Sequence, residues 1–364
     1  MKNTINDVIK ILEAWSNPAY QESYDNAGLI VGNANQELLG GLICLDLTPK
    51  VFQEAIDNNA NLIISHHPLI FNPIKKLNGK NNAEKIIMEA IKHDICIYAM
   101  HTNLDNIFSG VNHAFASALQ LQHIEILSLK EQQLKKLITF APTRYADIIR
   151  QALFEVGGGN IGNYNSCSFN QTGFGTFKAE VNAQPFVGQI GELHHEEEMK
   201  IEIVFPAFLQ STMIQTLQKV HPYEEVAFDI INLANTNPYI GAGMIGTLQE
   251  SMDLEQFILF LKQQLSLPVV KCSNCPSKKI KKIAICGGSG SFLIPTAISK
   301  HADIFISAEF KHNHFIDTQN QLILVDIGHY ESEIATKKLI FAKLIENFSN
   351  FAISVLEENP VKYF

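Results

Sequence analysis

The sequence predicts an α/β protein in which a discontinuous α/β domain, residues 1–130 and 236–364, is interrupted by a ferredoxin-like α+β domain over 131–235. Three observations lead there. The first 125 residues alternate strand and helix signals, the last third repeats the same alternation, and the middle follows a different order. At 364 residues the chain is long enough for two or three domains.

In the first segment, "GGLICLDLT" (40–48) reads as a strand and "PKVFQEAIDNNA" (49–60) as a helix opened by proline. "NLIIS" (61–65) is a strand, "NAEKIIMEAIKHD" (82–94) a helix, "ICIYAM" (95–100) a strand and "GVNHAFASALQ" (110–120) a helix. Strands alternating with helices of this length imply parallel βαβ units. The last segment offers strands at 281–286, 303–307 and 322–327, with helices at 291–301 and 331–348. In the middle, "LITFAP" (137–142), "TRYADIIRQALFEVG" (143–157), "EMKIEIVFP" (198–206), "AFLQSTMIQTLQKVHP" (207–222) and "VAFDIINL" (226–233) give strand–helix–strand–strand–helix–strand, counting the short β segments before 198.

Hydrophobic residues make up 46% and charged ones 18%, the balance of a soluble protein with a sizeable core. No apolar run approaches the ~18 residues of a membrane span. The opening "MKNTINDVIKILEAW" has acidic residues and helical spacing, as expected of a surface helix on a cytoplasmic protein. With 28 basic against 37 acidic residues, net charge is −9. An acidic chain whose lysines are dispersed makes a poor binder of bulk nucleic acid. Among six cysteines, Cys44, Cys96 and Cys286 sit in apolar runs and read as reduced core residues. "CSNC" (272–275) supplies Cys272 and Cys275 but lacks the other two ligands of a structural zinc site.

The histidines carry more. His66 and His67 directly follow "NLIIS", His101 and Asp105 follow "ICIYAM", and His329 and Glu333 follow "LILVDI". Ligands of open α/β sheets bind at the carboxyl ends of parallel strands, so three polar clusters at three such ends converge in space. Imidazoles and carboxylates suit zinc, manganese, iron or nickel. Two ions ~3.5–4 Å apart need about this many ligands, with shared carboxylates, to activate a bridging water. His329 and Glu333, four apart, share a helix face if the helix near Glu331 extends back; Asn103-Leu104 argues for a turn between His101 and Asp105. A single histidine near a strand end is ordinarily a hydrogen-bonded surface or core residue, and it is the joint placement that favours a site. Neighbours in a strand point to opposite faces and Pro68 marks the chain's departure from it, so the doublet reads as one imidazole for each of two metals.

Softer candidates surround these. In "CGGSGSF" (286–292) the N–H groups around Gly287, Gly288 and Ser289 can cradle an anion, or the glycines can serve a tight turn. "AEFKHNHF" (308–315) places Glu309, His312 and His314 after a fourth strand, either against substrate or as a solvated helix start. "LHHEEEMK" (193–200) reads as a solvated turn, with metal binding the lesser option, and "HPYEEVAFD" (221–229) as a structural helix-to-strand corner in preference to a site.

Together, "SYDNAGLIVG" (23–32), "ISHHPLIF" (64–71), "HTNLD" (101–105), "CGGSG" (286–290) and "DIGHYESE" (326–333) resemble the Nif-three-like family of dinuclear-metal proteins, the GTP cyclohydrolase I type 2 homologues. The middle segment, with "GGGNIGNY" (157–164), "GTF" (175–177) and "HPYEEVAFD", resembles the CutA-like or PII-like domain of the longer bacterial members. The resemblance implies two divalent metal ions per chain, zinc first among them, held by His66, His67, Asp105, His329 and Glu333. It also implies a homohexamer with the metal sites facing an internal cavity, and hydrolytic ring opening of GTP. One departure stands out: the family's usual Gly-Asp pair is Ala308-Glu309 here.

Two functions follow as expectations. One is a metal-dependent hydrolase of a nucleotide-like small molecule, cyclohydrolase or phosphoesterase, with Glu333 bridging the ions and His101 as proton shuttle. The other is a non-catalytic, metal-dependent regulatory protein whose inserted domain senses a ligand.

Overall fold

The computed structural model describes residues 3–273, 279–348, 353–355 and 359–363. The chain forms two compact units, one from Met1–Leu129 with Pro238–Phe364 and the other from Lys130–Asn237.

The first unit opens with the helix Ile5–Trp15, started by a Thr4–Asp7 capping box and burying Ile5, Val8, Ile9 and Leu12. Strands β1 (Gly28–Val31), β2 (Gly41–Cys44), β3 (Leu62–Ser65) and β4 (Cys96–Ala99) follow, then β5 (Gln122–Leu129). Helices Pro49–Asp57 and Asn82–Lys92 connect β2 to β3 and β3 to β4. Both pairs are parallel, whereas β1 adds to β4 antiparallel. β2, β3 and β4 are buried at every position, as expected of strands covered on both faces.

In the second unit, β6 (Leu134–Pro142), β7 (Phe169–Lys178), β8 (Leu193–Pro206) and β9 (Phe228–Asn232) form an antiparallel sheet in the order β7-β8-β6-β9. Helix Ala146–Glu155 follows β6 and helix Gln210–Val220 follows β8. Ile149, Leu153, Met213 and Leu217 from these helices bury against Leu137, Ile201, Ile203 and Phe205. The "LHHEEEMK" stretch is not a solvated turn: it forms the first part of β8, paired residue for residue with β7.

The first unit then resumes with β10 (Gly241–Asp253), β11 (Lys271–Cys272), β12 (Lys279–Ser289), β13 (Ile304–Ala308), β14 (Ile323–Asp326) and β15 (Ile353–Val355). The larger sheet runs β11-β14-β13-β12-β10-β5, parallel across β12-β13-β14 and antiparallel at its other pairs. β15 pairs parallel with β2 and extends the smaller sheet. So both sheets are mixed, with parallel centres flanked by antiparallel neighbours that the strand–helix alternation alone did not announce. Cys272 is exposed on β11, and Cys275 lies outside the described residues. Among the described residues no helix is long and apolar enough to cross a membrane.

Candidate metal centre

β3 ends at Ser65, and the two residues beyond it continue pairing with the end of β2: His66 N–H donates to Cys44 O and His67 N–H to Leu45 O. The chain bends there, so strict alternation no longer separates the doublet, and the two rings lie 5.1 Å apart. At the end of β4, "HTNLD" is helical rather than a simple turn: Thr102–Asp105 forms one α-helical turn with His101 at its N-cap. Asn103 makes this possible, its Oδ1 accepting the His101 N–H and its Nδ2 donating to Ser16 O. Past β14, Gly328 takes φ +92°, and a Cβ there would sit 2.3 Å from Glu331 Oε2. The helix His329–Glu333 starts immediately after it and aligns its first and last residues on one face.

Glu333 is the centre of the arrangement, its side chain only 3% exposed. Its Oε1 lies 3.7 Å from His66 Nε2, while its Oε2 lies 3.0 Å from His67 Nε2 and 3.2 Å from His329 Nε2. Asp105 Oδ1 is 3.7 Å from His66 Nε2. His66 Nε2 and Asp105 Oδ1 are buried and have no hydrogen-bond partner among the described residues. Two such atoms are costly in a native interior unless something else satisfies them. His66, His67 and Glu333 each offer a ligand atom within 4.8 Å of the others, a set able to hold a metal ion.

The outer nitrogens explain why these rings suit a metal. His66 Nδ1 lies 2.6 Å from Met100 O, His67 Nδ1 2.8 Å from Asp46 Oδ1, His101 Nδ1 2.7 Å from Asp25 Oδ1 and His329 Nδ1 3.2 Å from Glu309 Oε1. Carbonyl and carboxylate oxygens only accept, so each Nδ1 carries a proton, and a ring that gives up any proton on Nε2 leaves that lone pair facing inward. Ligating histidines are ordinarily held in this way, by an acceptor behind the ring. The donor set therefore fits a divalent ion.

The model of the family described as Duf34/NIF3 (NGG1p interacting factor 3) matches residues 3–360. The chain belongs to that family. A Bacillus subtilis relative named "GTP cyclohydrolase 1 type 2 homolog" is 36% identical over 98% of this chain and 97% of its own length. A Staphylococcus aureus relative of the same name is 36% identical over 99% of both chains. Among solved structures, a Bacillus cereus protein related to NIF3 superposes with a TM-score of 0.85 at 35% identity, covering both chains fully. Reduced HcgD from Methanocaldococcus jannaschii shares the fold, with a TM-score of 0.58 at 18% identity over 98% of this chain and 99% of its own.

Without metal, the site of this Duf34/NIF3 member is a cluster of strongly coupled charges. Burial works against a charge on His67, but the carboxylates of Asp46 and Glu333 overcome it and push its pKa up to about 10. The hydrogen bond to Glu333 raises His329 to about 9, against the opposing effect of burial. Burial alone would lift Glu333, yet the surrounding imidazoles hold it well below the usual carboxylate range. Asp105 goes the other way, burial pushing it up to about 7 despite His66. Burial opposes ionisation of Asp25, but hydrogen bonds from His101 and Thr102 bring it down to about 2.

The other candidate residues divide. Gly287, Gly288 and Ser289 line the cavity at the site, but two of their N–H groups are engaged: Gly287 donates to Asn112 Oδ1 and Gly288 to Ser332 Oγ. Two of the three N–H groups of the expected anion cradle are therefore already bonded within the fold. Gly288 has φ +63°, and a Cβ on it would lie 2.4 Å from Glu333 Oε1, so glycine here lets the strand end approach the central carboxylate. Glu309 sits at φ +59° and supports His329 rather than lining the cavity. His312 is exposed at the start of a short helix and is not among the cavity residues. His101 does line the cavity, its ring 5.4 Å from those of His66 and His67.

Sequence reasoning missed Asp46 and Asp25. Asp46 had a usable signal, lying just past β2 in "ICLDLT", one more parallel strand end. Asp25 stands within "SYDNAGLIVG", but no local pattern pointed it at His101, since the antiparallel return of β1 along β4 is what brings its loop there. Asp46→Ala is expected to weaken metal binding ~10–100-fold, the usual worth of such an outer partner, with the fold unchanged. Competition against a chromophoric chelator measures it.

Proposed function

We propose that this chain is a metal-dependent hydrolase of a nucleotide-like small molecule, built around two divalent ions that share Glu333. The observation that carries the reading is the division of Glu333 between two groups of donors. Its Oε1 faces His66, which also faces Asp105, and its Oε2 faces His67 and His329. Two half-sites joined by one carboxylate match the donor requirement of an ion pair. When bound, such ions supply Lewis acidity and make water a nucleophile at neutral pH.

The chain's own residues do the rest. Asp46, Glu309 and the Met100 carbonyl hold the Nδ1 sides of His67, His329 and His66, so once the inward nitrogens are deprotonated the rings need not turn. His101, held by Asp25, has its Nε2 free of the Nδ1 hydrogen bond and lines the cavity. That nitrogen can take a proton from an attacking group and return it to a leaving group. A buried, acid-rich site with open cavity space beside it is arranged for turnover more than for structural metal storage.

The test is a hydrolysis screen of nucleotides and phosphoesters with zinc, manganese, iron or nickel restored to the metal-free protein. Turnover that depends on the metal and falls ~100-fold or more in Asp105→Ala, with melting behaviour retained, supports the hydrolase. Full metal loading without turnover of any substrate favours the regulatory reading instead.

A further inference from the structure

The cavity beside the metal centre measures about 550 Å³, within the range of small-molecule sites. Its wall has two properties that the metal ligands do not require. Three aromatic side chains line it while leaving much of their surface uncovered: Tyr24 at 62%, Phe71 at 47% and Phe292 at 63% exposure. The Tyr24 and Phe71 rings lie 6.1 Å apart, and the Phe71 ring leans edgewise on His101 at 6.3 Å. The aromatic surface therefore adjoins a residue of the site itself.

The second property is charge. Among the described lining residues, every ionisable side chain is an acid, a histidine, a tyrosine or a thiol, with Glu22, Asp46, Asp105 and Glu333 the acids; there is no lysine or arginine. Phosphate tails are ordinarily bound by Lys, Arg or ranks of backbone N–H groups. Here the glycine loop spends the N–H groups of Gly287 and Gly288 on Asn112 and Ser332. The imidazoles of His67 and His329 are already paired with Asp46, Glu333 and Glu309, so away from a metal a triphosphate would meet no uncommitted cation and would face the repelling carboxylates of Glu22 and Asp46. A flat ring meets three uncovered aromatic faces, on which stacking is favourable for any base.

Resting on the hydrolase reading above, we infer that the substrate is a planar aromatic or heteroaromatic ring of low negative charge, seated against Tyr24, Phe71 and Phe292. A nucleoside triphosphate is not the preferred ligand. The aromatic residues act as specificity determinants, and the acids beside them offer acceptors to ring N–H groups.

Equilibrium dialysis of the full chain, zinc-loaded and metal-free, against guanosine, cytidine and GTP tests this. Both nucleosides are expected to bind, each at least tenfold more tightly than GTP in the metal-free chain and more tightly than GTP in the loaded one. Phe71→Ala and Phe292→Ala are each expected to weaken nucleoside binding about tenfold, in line with the usual worth of stacking. Both residues are exposed, so melting temperature and zinc content should match the wild type. Absence of nucleoside binding, tighter binding of GTP, or unchanged nucleoside binding in both variants overturns the inference. Hydrolysis of glycerol phosphate, a phosphoester without a ring, followed in parallel within the nucleotide and phosphoester screen, reports on the metal centre apart from the aromatic wall. Absence of turnover throughout that screen, alongside intact nucleoside binding, defeats the hydrolase reading while leaving the ring site standing; turnover of the ring-free ester with no ring binding does the reverse.

Discussion

Glu333→Ala is expected to lower metal affinity by well over ~100-fold, beyond the range carried by outer partners, and to do so at both half-sites together. No other residue of the cluster has this property. Among the described residues Asp105 Oδ1 pairs with His66 Nε2, and His329 Nε2 faces His67 and Glu333 Oε2. Asp105→Ala and His329→Ala should each weaken one half-site and leave the other loaded, whereas removing Glu333 takes an oxygen from each. The same substitution has a signature in the metal-free protein. Glu333 contributes to the raised pKa values of His67 and His329, about 10 and about 9, so both should fall toward the ordinary histidine value of ~6.5. Calorimetric metal titration and NMR titration of the imidazoles read the two effects separately.

The second large effect is that metal affinity should climb steeply with pH. At pH 7 the metal-free chain holds protons on His67 and His329, and Asp105, at about 7, is near its midpoint. A metal needs the neutral imidazoles and the ionised carboxylate, so binding must expel those protons. Two histidine protons make affinity rise ~100-fold per pH unit from about pH 7 toward 9. Below pH 7 the Asp105 proton adds to the slope. Stability of the metal-free chain should move the opposite way. The folded pKa values of the two histidines exceed their unfolded value, so their contribution is complete below ~6.5 and is lost as pH rises through 9 and 10. Asp105, also raised, adds to the loss of stability above its unfolded value, from ~4 through 7. The metal-free chain should therefore melt highest at mildly acid pH, and added zinc should stabilise it most at alkaline pH. Melting curves across pH, with and without zinc, together with calorimetry in buffers of different ionisation enthalpy, measure both trends.

How much of this was legible in the sequence depends on what each residue answers to. The central strands were readable because burial on both faces leaves runs such as "LIIS" and "LILVD" with no polar interruption. Their ends were readable too, since His66, Asp105 and Glu333 each follow such a run within a few residues, and parallel neighbours bring those ends together. The antiparallel flanks were not, because β1, β10 and β11 are placed by pairing with distant strands and not by any local period. The supports behind the rings were lost for the same reason: Asp25 and Asp46 reach His101 and His67 across 76 and 21 residues. The helical turn in "HTNLD" was missed because Asn103, a weak helix former, is held by a buried hydrogen bond to Ser16 O that tertiary structure supplies.

Whether Glu333 joins two ions is tested most directly by anomalous scattering from crystals of the zinc-reconstituted chain. The expected result is two zinc peaks per chain, one contacted by His66, Asp105 and Glu333 Oε1, the other by His67, His329 and Glu333 Oε2. A single peak contacted by both His66 and His67, or no peak within reach of Glu333, would contradict it.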